Sequence, residues 1–234
     1  MARRTVVKRA AALGAATLLG SPLLYLPTEA AAAEKLPPKE AEKGRNQPTS
    51  RNGWPLVERA NDVSAVWTRP VPGTGFGVGV RIGDVETVLV HVIRRFHYEI
   101  VALREGDVTG WRVPSQVEIE QAEGNQASGT AVAIRSGCYP PGVSGGFFRH
   151  EALVIRDILA ECDGVVRWGG DDKRPYEALF SIDIPPGDQR LRTLVTKLRG
   201  WAVEPGAGAG TPVDVTDRKR RAAAEKLERR QKAA

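Results

Sequence analysis

Side chains able to ligate a metal, attack a carbonyl or move a proton near neutral pH are few in this chain of 234 residues. There are three histidines, His91, His97 and His150, and two cysteines, Cys138 and Cys162. His91 and His97 stand six apart, so on a helix they do not share a face, which argues against a two-histidine metal clip. His150, in Phe147-Phe148-Arg149-His150-Glu151, has no partner at ligand spacing and suits a surface or helix-capping role. No Cys-x-x-Cys is present for zinc or redox chemistry, and whether the two thiols bridge one another is left open, because spacing gives no distance between them. Asp171 and Asp172 precede Glu177 closely, but adjacent acids in a Gly-Gly-Asp-Asp stretch are turn residues before they are a metal site. Ser144-Gly145-Gly146 is not a Gly-x-Ser-x-Gly elbow, and neither a phosphate loop nor a dinucleotide fingerprint occurs in its required context.

The elements that must position these groups are legible as periodicities. Val78 to Ile82 predicts a short strand, and Asp84 precedes Val88, Val92, Phe96 and Ile100, spaced as one face of a helix. Glu151 to Glu161 predicts a second helix through Ala152, Ile155, Ile158 and Leu159, and Leu191, Leu194, Val195 and Leu198 a third before Trp201. Ala131 to Arg135, Val165 to Trp168 and Phe180 to Ile184 read as strands, the last by strict alternation. Helices and short strands interleave with loops too long for a doubly wound sheet. The expected class is therefore α+β, a small mostly antiparallel sheet flanked by helices, over residues 54–205.

The ends differ from this body. Residues 1–33, with Arg3-Arg4 ahead of an uncharged run and a small-residue Ala30 to Ala33 zone, have the layout of a twin-arginine-type signal peptide. That implies a secreted or wall-associated protein with no transmembrane span once the signal is removed. Residues 34–53 read as a polar linker, and residues 206–234 as a Gly-rich spacer followed by a charged, solvated helical tail. The formal net charge of +6 belongs to these ends: residues 34–213 carry 22 basic and 23 acidic side chains. A basic surface across the body of the kind that holds nucleic acid is thus excluded.

Three segments carry a resemblance. Asn125-Gln126-Ala127-Ser128-Gly129-Thr130-Ala131-Val132-Ala133-Ile134, then Gly164-Val165-Val166-Arg167-Trp168-Gly169-Gly170-Asp171, then Tyr176-Glu177-Ala178-Leu179-Phe180-Ser181-Ile182 resemble the D-alanyl-D-alanine carboxypeptidase family of zinc peptidases. By order and spacing the likeness spans residues 52–203. In that family the first motif is His-x-x-Gly-x-Ala-x-Asp and the last Glu-x-His-Phe. Two histidines and the Asp hold zinc, the Glu takes a proton from zinc-bound water, and an Arg steadies the scissile carbonyl.

Carried over position by position, the resemblance places Gln126, Ala133 and Leu179 at the three metal positions, Glu177 at the general base and Arg112, in Gly110-Trp111-Arg112, at the carbonyl-stabilising position. It implies a ligand groove touched by Gln126, Ser128, Trp168 and Asp171. An amide, a methyl and an isobutyl group do not bind zinc, so no cofactor is expected. The expected function is an exported, peptidoglycan-associated pseudo-peptidase that binds cell-wall peptide. The alternative is an active metallo-carboxypeptidase or endopeptidase acting on stem peptides through a non-standard metal site.

Overall fold

A computed structural model describes residues 47–233 of the chain. The signal-like segment and residues 34–46 of the expected linker lie outside the described residues. Among the described residues, six strands and four α-helices follow in the order β1 (Val66–Pro70), β2 (Gly77–Arg81), α1 (Asp84–Glu99), β3 (Val108–Thr109), β4 (Ala131–Ile134), α2 (Arg149–Glu161), β5 (Val166–Trp168), β6 (Leu179–Ile182), α3 (Gln189–Val203) and α4 (Arg218–Lys232). The class is α+β with small antiparallel sheets, as expected. β1 and β2 form a two-stranded ribbon, and β3, β4, β6 and β5 form an antiparallel sheet in that spatial order.

The helices begin and pack for identifiable reasons. Glu86 reaches back to accept from the Gly83 N–H at 3.3 Å, and Glu151 does the same for the Phe148 N–H at 2.8 Å, each satisfying a donor that the first turn leaves without a helical acceptor. α1 then buries Val85, Val88, Leu89, Val92, Ile93 and Phe96. Asp188 accepts from the Arg190 N–H and starts α3.

Pairing in the sheet sorts its side chains into two faces. Val132 is opposite Phe180, and Val166 and Trp168 are opposite Ile182 and Phe180. Directly opposed residues share a face. These side chains, with Ile134, enter one core with the apolar stripes of α1, α2 and α3. The other face presents Ala131, Ala133, Leu179, Ser181 and Arg167, and its smaller apolar cluster includes no α-helix residue. Gly129 makes the corner ahead of β4 at φ +71°, where a Cβ would fall 2.5 Å from Val66 Cγ2 and 2.8 Å from the Arg81 nitrogen.

Two boundaries depart from the expected organisation. Residues 47–53 are not the end of a linker but an arm sewn onto the sheet. Ser50 Oγ donates to Ser128 Oγ at 2.9 Å, and Asn52 Nδ2 donates to Thr130 Oγ1 and to the Ile182 carbonyl, both at 2.8 Å. Trp54 Nε1 continues the seam with a 2.8 Å bond to the Ile184 carbonyl. The polar side chains that resemble linker composition are the stitches. Likewise, residues 218–232 form the expected helix but not a solvated one: α4 packs on α2 and buries Ala224, Leu227 and Gln231.

Candidate functional site

Two of the three positions that the resemblance assigned to metal ligands, Ala133 and Leu179, lie on the face of the sheet whose apolar cluster contains no α-helix. Ala133 of β4 and Leu179 of β6 are direct cross-strand partners, each 1% exposed. They belong to an apolar cluster with Ala131, Tyr139 and Ala178, against which Phe147 and Tyr176 pack. Tyr139 and Phe147 stack with centroids 4.0 Å apart, bringing the loop between β4 and α2 down over the pair. Burial, with the charge of Glu151 adding to it, raises the Tyr139 hydroxyl above its ordinary titration range.

Gln126 lies in the 3-10 segment Ala122–Ser128 that leads to Gly129. Its amide nitrogen donates to the carbonyls of Thr109 at 3.0 Å and Gly110 at 2.9 Å, tying this segment to β3. A hydrogen-bonded amide and two hydrocarbon side chains do not fit a zinc ion. Elsewhere, His91 Nε2 lies 2.9 Å from Glu161, His97 Nδ1 accepts from the Leu103 N–H, and the ring of exposed His150 stacks on Phe148. Among the described residues no three His, Cys, Asp or Glu side chains are grouped as a metal ion requires. Cys138 is exposed, Cys162 is buried, and the two are not bridged.

Glu177, which the resemblance led one to expect as a general base, is 6% exposed and holds a loop in place. Its two oxygens accept from the consecutive backbone N–H groups of Gly145 and Gly146 at 2.7 and 2.8 Å. A Cβ on Gly146 would meet Tyr139 Cδ1 at 2.7 Å and Glu177 Oε2 at 3.1 Å, so this close approach needs glycine. The carboxylate therefore pins the aromatic loop over Ala133 and Leu179. Arg112 donates to the Gln116 carbonyl at 2.6 Å, on the side of Tyr176. Burial raises the Tyr176 hydroxyl, Glu123 adds to the rise, and Arg112 opposes it.

The residues assigned by the resemblance to ligand contact each make bonds within the fold, and of the four only Asp171 also lines the open cleft. Ser128 is wholly buried and bonds Ser50, Thr130 and the Asn125 carbonyl. Trp168 donates from Nε1 to the Glu177 carbonyl at 2.7 Å. Asp171 is paired in bidentate fashion with Arg156. Gln126 is held as described.

An open cleft of about 520 Å³ lies beside this apolar cluster, lined by Arg51, Glu120, Glu123, Arg167, Lys173 and Arg174 among others. A neighbouring hollow shares Arg51, Ala122, Arg167 and Asp172 with it and reaches Ser181 on the helix-free face. Arg51, Lys173 and Arg174 are exposed, as is Glu120 across from them. Charges of both signs thus line one depression, which suits a ligand carrying both a carboxylate and an ammonium group. Sequence reasoning missed these residues. Arg51 lies in the segment taken for linker, while Lys173 and Arg174 follow the acidic turn with no spacing signal of their own. Comparison with protein-family models, curated proteins and solved structures returns no match to this chain.

Proposed function

We propose that the chain is an exported pseudo-peptidase of the D-alanyl-D-alanine carboxypeptidase type, catalytically silent and binding peptidoglycan peptide in the cleft beside its former metal pocket. One observation carries the reading: two former-ligand positions, Ala133 and Leu179, face one another across β4 and β6 as that chemistry would require, but the space between strand and loop is packed with Tyr139 and Phe147. Glu177 supports it from a second direction. A carboxylate whose two oxygens each hold a backbone N–H is committed to the loop, and the neighbouring Ala133 and Leu179 side chains offer no lone pair to a metal that could acidify water. The mixed charges of the cleft match a stem peptide, which carries carboxylates and, at its dibasic residue, an ammonium group. Binding there uses Arg51, Lys173 and Arg174 for carboxylates and Glu120 with Glu123 for the ammonium.

The test uses the full chain, dialysed against zinc and then assayed for metal, for hydrolysis of wall peptides and for their retention by calorimetry. Retention without hydrolysis and without bound zinc is expected. Near-stoichiometric zinc together with release of amino acids would overturn the reading in favour of an active metallopeptidase. Failure to retain any wall peptide would remove the binding role.

A further inference from the structure

Away from the cleft, a dense group of charges lies where α1, α2 and α4 meet. The Arg95 guanidinium is 1% exposed and is held by Glu99, by Asp157 at 2.9 Å and by Glu161 at 2.5 Å. Burial opposes its charge, but these carboxylates outweigh burial and keep it protonated. α4 contributes a second guanidinium. Arg220 meets Asp157 through two bonds, at 2.7 and 2.5 Å, and Glu161 through one at 3.2 Å. Asp157 and Glu161 are therefore shared between an arginine in the core and one on the last helix. The apolar hold on α4 is small, since only Ala224 and Leu227 are buried hydrophobics along it. The connection back to α3 passes through Gly206-Ala207-Gly208-Ala209-Gly210, whose three glycines all sit at positive φ.

The far end of the same helix touches the cleft. Gln231 Nε2 donates to the Val166 carbonyl at 2.8 Å, on the edge strand β5, and the Gln231 carbonyl accepts from Arg167 of the cleft wall at 3.2 Å. Glu228 lies 3.1 Å from Arg156, whose other bonds go to Asp171 and whose guanidinium carbon sits 4.9 Å from the Trp168 ring centroid. Lys232 lines the cleft 3.7 Å from Asp171. The Gly169–Asp172 turn is thus tethered to α4 through Arg156 on one side and through Arg167, which bonds Asp172 at 2.9 Å, on the other. Gln231 Oε1 is the one buried side-chain polar atom without a partner among the described residues, so the tether itself is incompletely satisfied.

We infer that α4 is a detachable strap, latched by Arg220 on Asp157 and Glu161, which when docked fixes the cleft turn and covers the β5 edge. When it lifts, Asp157 and Glu161 keep Arg95, so the core does not lose its counter-charge, while the Glu228 contact to Arg156, the Lys232 contact to Asp171 and the Gln231 bonds to Arg167 and the Val166 carbonyl are broken. This inference stands on contacts alone and does not depend on the wall-peptide reading.

Hydrogen exchange read by mass spectrometry on the full chain tests it, comparing the parent with Arg220→Ala and with Lys226→Ala, an exposed residue of the same helix that makes no latch contact. Arg220→Ala, and the parent in 1 M salt, are expected to exchange about tenfold faster across residues 218–232 and across 166–176, with α1 and β6 unchanged. Lys226→Ala should behave as the parent. The inference is overturned if α4 exchanges only together with α1 and β6, since it is then an integral part of the fold. It is overturned equally if residues 166–176 keep their protection while α4 loosens, or if Lys226→Ala loosens α4 as much as Arg220→Ala does.

Discussion

Glu177 accepts from the Gly145 and Gly146 N–H groups at once, a geometry that a carboxylate satisfies and an amide does not. Glu177→Gln keeps the shape but turns one acceptor into a donor facing an N–H, so it should cost about 1–3 kcal/mol in urea unfolding. Glycine 146 is bounded by Tyr139 and Glu177, and Gly146→Ala should loosen the same loop and raise proteolysis between residues 136 and 148. Ala133→Asp puts a carboxylate in an apolar cluster with no cation, and a loss of about 3–5 kcal/mol is expected from its melting curve. The thiols provide a separate check. Burial, reinforced by the neighbouring Glu161 charge, pushes Cys162 up to about 12, whereas Cys138 is exposed. At pH 8 an alkylating reagent should therefore label one cysteine in the native chain and two in denaturant. The sequence singled out Glu177 as a general-base position, not as a loop anchor, because its partners lie 31 and 32 residues away on a loop and no periodicity reports such a contact.

Elements with a clean apolar period were readable, and those held by polar seams were not. α1, α2, α3 and the strands β2, β4, β5 and β6 appear where Val, Ile, Leu and Phe recur at helical or alternating spacing. β1 was missed because Thr68, Arg69 and Pro70 break any alternation, and β3 because two residues carry no period. α4 was found as a helix but misplaced in solvent, since its docking relies on Leu227 and on ion pairs rather than a stripe. Leu227→Ala should accordingly cost about 2–3 kcal/mol. The same seam sets an acid response. Burial alone would raise the Glu161 carboxyl, but the His91 hydrogen bond and the Arg95 charge outweigh it and bring it down to about 2. Because the folded value lies below the unfolded one near 4.3, its stabilisation is complete above about pH 5 and is lost as pH falls toward 2. Glu161→Gln should lower the melting temperature at pH 6 and flatten its decline between pH 5 and pH 3.

At the scale of the molecule, one face of the main sheet carries the helices and the other carries the smaller apolar cluster and the cleft. That division was implicit in the alternation of Phe180, Ser181 and Ile182, whereas the cleft rim was not, because it joins Arg51, Glu120 and Arg174 from three separate loops. If the rim binds stem peptide by charge, reversing Lys173 and Arg174 together to Glu should weaken retention about tenfold or more at low salt and much less at 0.5 M, with no change in melting temperature. The arm at the start of the described chain has a consequence for how the protein is made. Asn52 and Trp54 each bond a carbonyl 130 residues later, at Ile182 and Ile184. Their partners must exist before they can dock, so the arm waits undocked on the ribosome until most of the chain has emerged. Closure of the sheet seam is then a late, long-range step that carries the loop-closure cost of joining residues 130 apart.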